Sequence, residues 1–264
     1  MLPNELPELI DLLFKTQITR KGRKRWPMVG LIILATFLSG FWFHFKPDDP
    51  GINDIENLLQ AGDLITAKQT VARLKADSPR FSTIWSLMNA PLRPKVTMEV
   101  QRKGTAAILS FRLEQIDSTA LTLSNEDDYR LTLSAESPPE KLYLYVLQID
   151  ELNQAYTIFP NVKWKMENPI EADQWPVSIP SGDDQWLYLD ELPSGREDGI
   201  KETLHVLMSP WRANDIETIM KAFVTETDRN ARKKLIHDLR ARLELRARTG
   251  INSITYRSIS FYHT

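Results

Sequence analysis

From Lys95 onward apolar residues recur at every second position. Val96, Met98 and Val100 alternate with Thr97, Glu99 and Gln101. Ala107, Leu109, Phe111 and Leu113 repeat the pattern, as do Leu121 and Leu123. Tyr129, Leu131 and Leu133 then alternate with Arg130, Thr132 and Ser134. A period of two sends successive side chains to opposite faces, so these segments read as half-buried strands of an antiparallel sheet. Residues 141–149 break the pattern informatively. Leu142, Leu144 and Val146 share one face, and Tyr143, Tyr145, Leu147 and Ile149 share the other. A strand apolar on both faces predicts a central position, with a sheet in front and the C-terminal helices or a second sheet behind. Residues 151–154 form the expected connection to a return strand at 155–159. An irregular loop follows over 161–173, then strands near 175–179, 186–190 and 203–208. Short strands at this spacing, separated by polar turns, suggest a β-sandwich.

The period is helical on either side of this block. Ile52, Ile55, Leu58 and Leu59 keep helical spacing up to Gly62-Asp63. Leu64, Ala67, Val71 and Leu74 keep it up to Ser78-Pro79. This resembles one helical hairpin of the tetratricopeptide type. No second copy occurs at the required period, so packing rather than a peptide groove is the expected role. Phe81, Ile84, Trp85 and Met88 add a third helical face. After Ser209-Pro210, Asn214 and Glu217 have the spacing of a capping box, with Ile216, Ile219, Met220 and Phe223 on one face. A second helix carries Leu235, Leu239 and Leu243, and Gly250 stands where a terminator belongs. The last segment is a strand whose apolar parity flips between Tyr256 and Ile259, which predicts a bulge or bend. A strand after two helices returns to the sheet, so the fold class is α+β.

Residues 27–45 contain no Asp, Glu, Lys or Arg. At about 1.5 Å per residue they span roughly 30 Å, the thickness of a bilayer core. Trp26 marks one end, and Phe41, Trp42, Phe43 and Phe45 the other, as suits the lipid–water boundary. The late start and the lack of a small-residue cleavage site argue against a cleaved signal peptide. Arg20, Lys21, Arg23, Lys24 and Arg25 precede this stretch, whereas Asp48 and Asp49 follow it. The positive-inside rule then places the N-terminus in the cytoplasm and the bulk of the chain in the periplasm of a bacterial inner membrane. Four parts are expected: a cytoplasmic segment 1–26, a transmembrane helix 27–45, a linker and helical hairpin 46–93, and a β-rich α+β domain 94–264. Within the first part, Leu6, Leu9, Ile10 and Leu13 share a helical face that either lies on the membrane or docks a cytoplasmic partner.

The run YLYVLQIDELNQAYTIFPN, with Tyr143, Tyr145, Asp150, Phe159, Pro160 and Asn161 at its core, resembles a bacterial domain of unknown function. In that family a YLYL-type strand leads through an acidic turn to a strand ending in L/I-F-P-N. The likeness covers roughly residues 96–210 and includes Val177-Ser178-Ile179-Pro180. The chain departs from the pattern at Glu151-Leu152-Asn153, where a glycine is common. The resemblance implies an accessory domain of exported or membrane-anchored proteins, also found attached to caspase-like, Ser/Thr kinase or repeat modules. It brings no catalytic residues. The tyrosines and the FPN run read as structural, with proline ending the strand because it lacks a ladder donor.

Composition removes several chemistries. The 264 residues carry a net charge of -2, so no global field marks a nucleic-acid binder. There is no cysteine, hence no thiol nucleophile or thiolate metal site. His44, His205, His237 and His263 are scattered without a second ligand at metal spacing. No nucleophile elbow or glycine-rich phosphate loop occurs, and no cofactor or metal is implied. The acidic clusters 126–128 and 183–184 lack calcium-loop spacing and read as solvated turns. Two surfaces remain. Trp164, Trp175, Trp186 and Tyr188 are dense enough to form a partner-binding surface for a sugar or peptide. Arg232, Lys233 and Arg240, in a basic run, are candidates for contact with an anionic surface, against the plainer reading of a solvated helix face. The expectation is a single-pass, non-enzymatic interaction or scaffold protein of an envelope complex, with lipid and envelope proteins as partners. The alternatives are an envelope ligand sensor relaying inward, or an envelope hydrolase built on paired carboxylates.

Overall fold

The structure, a computed structural model, describes residues 50–73, 79–105, 107–112, 121–182, 184–192 and 198–264. The expected cytoplasmic helix, the expected transmembrane segment 27–45, the linker before Pro50, Leu74, Leu113 and Asp183 lie outside the described residues. No helix among the described residues is long and apolar enough to cross a membrane. Residues 50–264 form one compact α+β unit.

Its frame is two sheets with helices behind one of them. Strands β1 (Arg93–Arg102), β2 (Ile108–Arg112) and β4 (Asp127–Glu136) make the first sheet with the short β8 (Val177–Ile179) and β9 (Leu187–Tyr188). The order is β2-β1-β4-β8, with β9 also on β4, and every pairing is antiparallel. The second sheet runs β3-β11-β10-β5-β6, from β3 (Thr122–Leu123), β11 (Thr255–His263), β10 (Ile200–Ser209), β5 (Lys141–Asp150) and β6 (Ala155–Phe159). Only β3 on β11 is parallel among the described pairs of this sheet. Val96, Met98, Leu131 and Leu133 of the first sheet meet Leu144, Val146, Val206 and Phe261 of the second in one core. The opposite face of the second sheet, Tyr145, Leu147, Ile149 and Leu207, is covered by helices. These are α1 (Pro50–Ala61), α2 (Leu64–Arg73), α3 (Pro79–Asn89), α4 (Asn214–Thr225) and α5 (Arg229–Arg248).

The two-faced apolar strand is therefore β5, sandwiched as its pattern predicts. The helical hairpin is α1–α2, turned at Gly62 with φ of +83°. Its Ile55, Leu59, Leu64 and Val71 share the core that holds Ile216 and Leu239 of α4 and α5. It is thus a packing element of the same unit.

The edge of β5 is finished by an unusual route. β6 pairs with its second half, and β7 (Ile170–Glu171) pairs with Lys141 and Leu142 at its start. Between them the Asn168 side chain stands in for a strand: its Nδ2 donates to Leu144 O at 2.8 Å and its Oδ1 accepts from Leu144 N at 2.9 Å. Leu144 is wholly buried, so an orphaned backbone pair there is costly. Asn168→Ala is expected to lower stability by about 2–3 kcal/mol, read as a shift in the urea midpoint. A change under about 0.5 kcal/mol, the range of ordinary surface substitutions, would show that the bonds carry no net stability.

Three local expectations are corrected. The last strand has no bulge: β11 pairs with β10 in unbroken register from His263 to Thr255. Its parity flips because both faces are covered, Tyr256 facing the helices and Ile259 the sandwich. The capping box at Asn214 does not form. Ala213 is the N-cap, without a side-chain cap bond. Glu217 is drawn away by the β5 tyrosine, whose hydroxyl donates to Glu217 Oε1 at 3.0 Å and accepts the Ala213 N–H at 2.9 Å. Finally, Asp127 is not a solvated turn residue but 2% exposed, accepting from Ser124 N at 2.8 Å and from Arg102 Nε at 3.0 Å.

Candidate functional site

The sandwich-facing positions of the second sheet do not stay apolar to the end. Along β5 they read Leu142, Leu144, Val146, Gln148, Asp150. Along β10, read backward, they are Met208, Val206, Leu204, Glu202, Ile200. Pairing sets Leu204 opposite Gln148 and Glu202 opposite Asp150, so the two stripes bring a pair of carboxyls together at that level. His263 of β11 faces Ile200 there. At this end of the sandwich a cavity of about 410 Å³ opens, floored by Gln148, Asp150, Glu202 and His263.

Its walls come from loops that the motif residues position. Asn161 Oδ1 accepts the Lys163 N–H at 3.0 Å and caps the 3-10 turn Val162–Trp164, which sets Trp164 into the cavity wall. Backbone bonds in both directions between Asn161 and Met166 close that turn. Trp186 and Tyr188 arrive from the segment around β9. Arg130, ion-paired with Glu99, stacks its guanidinium 5.0 Å from the centre of the Trp186 ring and so holds the indole from the sheet side. Tyr188 is 74% exposed, at the rim.

Three of the four expected aromatics thus meet around one cavity. Trp175 does not: it is half-buried against the sandwich core, and its Nε1 has no hydrogen-bond partner among the described residues. The basic residues are dispersed. Arg232 and Arg240 are half-buried and Lys233 is exposed on α5. Arg240 lies near enough to His205 and Asp150 to bias both electrostatically. Arg242 and Arg246 are taken up by Asp215, and Arg248 by Glu244. Arg246 is therefore structural, while Arg229, Lys233 and Lys234 stay exposed on the helix.

The floor carries the chemistry that residue types alone did not reveal. Glu202 is 6% exposed, and its Oε2 has no hydrogen-bond partner among the described residues. Burial pushes its carboxyl up to about 7, with Asp150 and Asp190 adding to the shift against a hydrogen bond from Gln148. Burial also raises Asp150, against the Gln154 N–H that its Oδ1 accepts at 2.6 Å. Asn153 supplies the left-handed residue of this turn, φ of +64°, where the resembled family tends to have glycine. His263 Nε2 donates to Asn125 Oδ1 at 2.6 Å, leaving Nδ1 toward Glu202 Oε1 at 3.8 Å. Burial holds this imidazole below its ordinary value. Tyr129 donates to Gln148 Oε1 and is held neutral by burial. The arrangement offers a carboxyl poised near neutrality, a facing carboxylate and flat aromatic walls. Among the described residues no group of three His, Asp or Glu side chains is arranged to hold a metal ion.

A second concavity of about 560 Å³ lies between the loop after β6 and α4, with Tyr143, Val162, Met220 and Val224 against the paired Arg212 and Glu217. None of its described lining side chains has a buried polar atom left without a partner, and the first cavity is the candidate site. Comparison with protein-family models and with curated proteins finds no match to this chain.

Proposed function

We propose that the chain is a single-pass protein of a bacterial inner membrane, its N-terminus cytoplasmic and its α+β domain periplasmic. In this reading it works as a non-enzymatic interaction protein of an envelope complex. The contact is the cavity at the sandwich end, which takes a projecting group of the partner. The observation that carries this reading is the convergence of Trp164, from the turn after β6, with Trp186 and Tyr188, from the segment around β9, on one cavity whose floor is polar and buried. Apolar walls with a few converging polar groups are the usual make-up of a binding site. The aromatics supply contact area at low entropic cost.

A second reading, an envelope ligand sensor, is favoured by the cavity's size, which falls within the range of small-molecule sites. There the cytoplasmic segment 1–26 relays occupancy inward.

The absence of cysteine allows a clean test, because Tyr188→Cys introduces a unique thiol at an exposed rim position. In cells with a permeabilised outer membrane, a membrane-impermeant maleimide carrying a photo-crosslinker is expected to label this thiol and capture an envelope component. Labelling only after the inner membrane is lysed would overturn the compartment. Labelling without any captured neighbour would overturn the interaction reading.

A further inference from the structure

Glu202 and Asp150 sit directly opposite each other on neighbouring antiparallel strands, both on the sandwich face. Side chains so placed start roughly 5 Å apart at Cβ, close enough for like charges to oppose each other. Asp150 has one oxygen occupied by the Gln154 N–H. Glu202 lines the cavity, and its Oε2 is buried with no partner among the described residues. A buried carboxylate needs a counter-ion or a proton. The basic group nearest in the floor is poorly placed to supply one: His263 has given Nε2 to Asn125, its Nδ1 stands 3.8 Å from Glu202 Oε1, and burial disfavours the charged ring. The remaining lining is acidic in balance, with Asp190 and Glu191 against Lys163, which is exposed on its turn.

Resting on the reading of this cavity as a binding site, we propose that it takes an organic ammonium group, its charge seated between Glu202 and Asp150 and its carbon chain against Trp164, Trp186 and Tyr188. The cation fills the place that the floor leaves uncompensated, and the aromatic faces attract it further. A neutral polyol would stack on the same rings but leave the facing carboxyls opposed. An inorganic ion lacks the cluster of donors it needs among the described residues. The ammonium could belong to a lysine side chain of a polypeptide or to a free amine, and the chemistry at the floor is the same for both.

Binding is coupled to protons. The groups facing Glu202 are Gln148, Asp150 and Glu151 from β5 and its turn, Tyr156 of β6, Asp190 beyond β9, His263 of β11 and Tyr129 of β4. Burial keeps both tyrosines neutral, and Glu202 itself changes state near neutrality. An ammonium ligand must displace the Glu202 proton, so affinity rises with pH.

The test is calorimetry on the full chain in non-ionic detergent at pH 6, 7 and 8. The probes are Nα-acetyl-lysine methylamide, its neutral Nε-acetylated form, 1,5-diaminopentane and glucose. The lysine derivative is expected to bind about tenfold more tightly at pH 8 than at pH 6, as one proton released per site requires. The Nε-acetylated form should not bind. Glu202→Gln should weaken binding at pH 8 by about tenfold and flatten the pH profile. Tyr188→Ala, at an exposed position that leaves the fold untouched, should weaken it about threefold. Tighter binding of the lysine derivative than of the diamine assigns a polypeptide side chain, and the reverse assigns a free amine. Equal binding of neutral and charged lysine forms, unchanged affinity in Glu202→Gln, or no binding of any amine would each overturn the proposal. Glucose binding without pH dependence, lost in Trp186→Ala, would overturn it while leaving the cavity a binding site. Failure of the crosslinking at position 188 would instead remove the reading beneath it.

Discussion

Asp215→Ala is expected to remove about 3–5 kcal/mol of stability, the cost of leaving a buried guanidinium without its carboxylate. Arg246 is 2% exposed and Asp215 7%. The two make a bidentate pair, Nη2 to Oδ1 and Nη1 to Oδ2, the latter at 3.1 Å. Arg242 adds a further bond from the solvent side at 3.1 Å. Asp215 lies in the first turn of α4, where the helix dipole also favours an anion. The pair joins α4 to α5, and the α1–α2 turn rests on it. A Cβ at Gly62 would fall 2.5 Å from Asp215 Oδ2 and 3.0 Å from Arg246 Nη2, and the backbone there has φ of +83°. Three helical segments therefore meet at one ion pair. Domains of this kind have about 5–15 kcal/mol to lose, so the variant should be near the limit of folding. Arg242→Ala, about half exposed, should cost no more than about 1 kcal/mol. Urea titration of both variants checks the contrast. Equal midpoints for Asp215→Ala and Arg242→Ala would remove the claim that burial makes the Arg246 pair decisive.

That ion pair also shows where reading residues along the chain stops. The basic run on α5 is plain in the sequence, but its partner is on another helix, 27 to 31 residues away, and nothing local announces it. The same limit explains the missing capping box. Asn214 and Glu217 have the right spacing, yet Glu217 answers to Tyr145, 72 positions distant. Patterns set by one element's surroundings were legible. The two apolar faces of β5 told of layers on both sides, and the hairpin at Gly62 and the return of the last strand to the sheet followed from period and turn chemistry. Pairings made only in space were not legible, such as β8 joining β4 or Asn168 completing the edge of β5. The site divides in the same way. Aromatic density pointed to Trp164, Trp186 and Tyr188, and it included Trp175 because density is blind to direction. The carboxyl floor has half of a signal in the sequence. The inward parity of β5 and of β10 each runs from apolar to polar, at Gln148-Asp150 and at Glu202. Only the register between the strands shows that the two carboxyls meet.

Glu202→Gln, the variant expected to impair ligand capture, is expected to stabilise the protein above neutrality. The folded Glu202 titrates at about 7, above its ordinary 4.5, and is nearly fully buried. Below pH 4.5 the carboxyl is protonated in both states and contributes nothing to the pH dependence. Between 4.5 and 7 the unfolded chain releases this proton while the folded chain keeps it, so stability falls as pH rises, by about 3 kcal/mol in all. Glutamine has no such proton. The stability of the variant relative to wild type should therefore climb by about 3 kcal/mol from pH 4.5 to 7.5. His205 works in the opposite sense. Burial lowers it to about 4 from an ordinary 6.5, its Nδ1 bonded to the Tyr256 hydroxyl at 2.7 Å. Its contribution is lost as pH falls from 6.5 to 4, because only the unfolded chain takes up the proton across that window. In the wild type the two slopes cancel between about 4.5 and 6.5. In Glu202→Gln the His205 slope is no longer opposed by Glu202, and acidification should cost the variant about 3 kcal/mol more than it costs the wild type over the same range. Urea midpoints measured at half-unit pH intervals give both curves. Parallel curves would mean that Glu202 is ionised in the folded protein, and the floor of the cavity would then already hold the counter-charge that an ammonium ligand is inferred to bring.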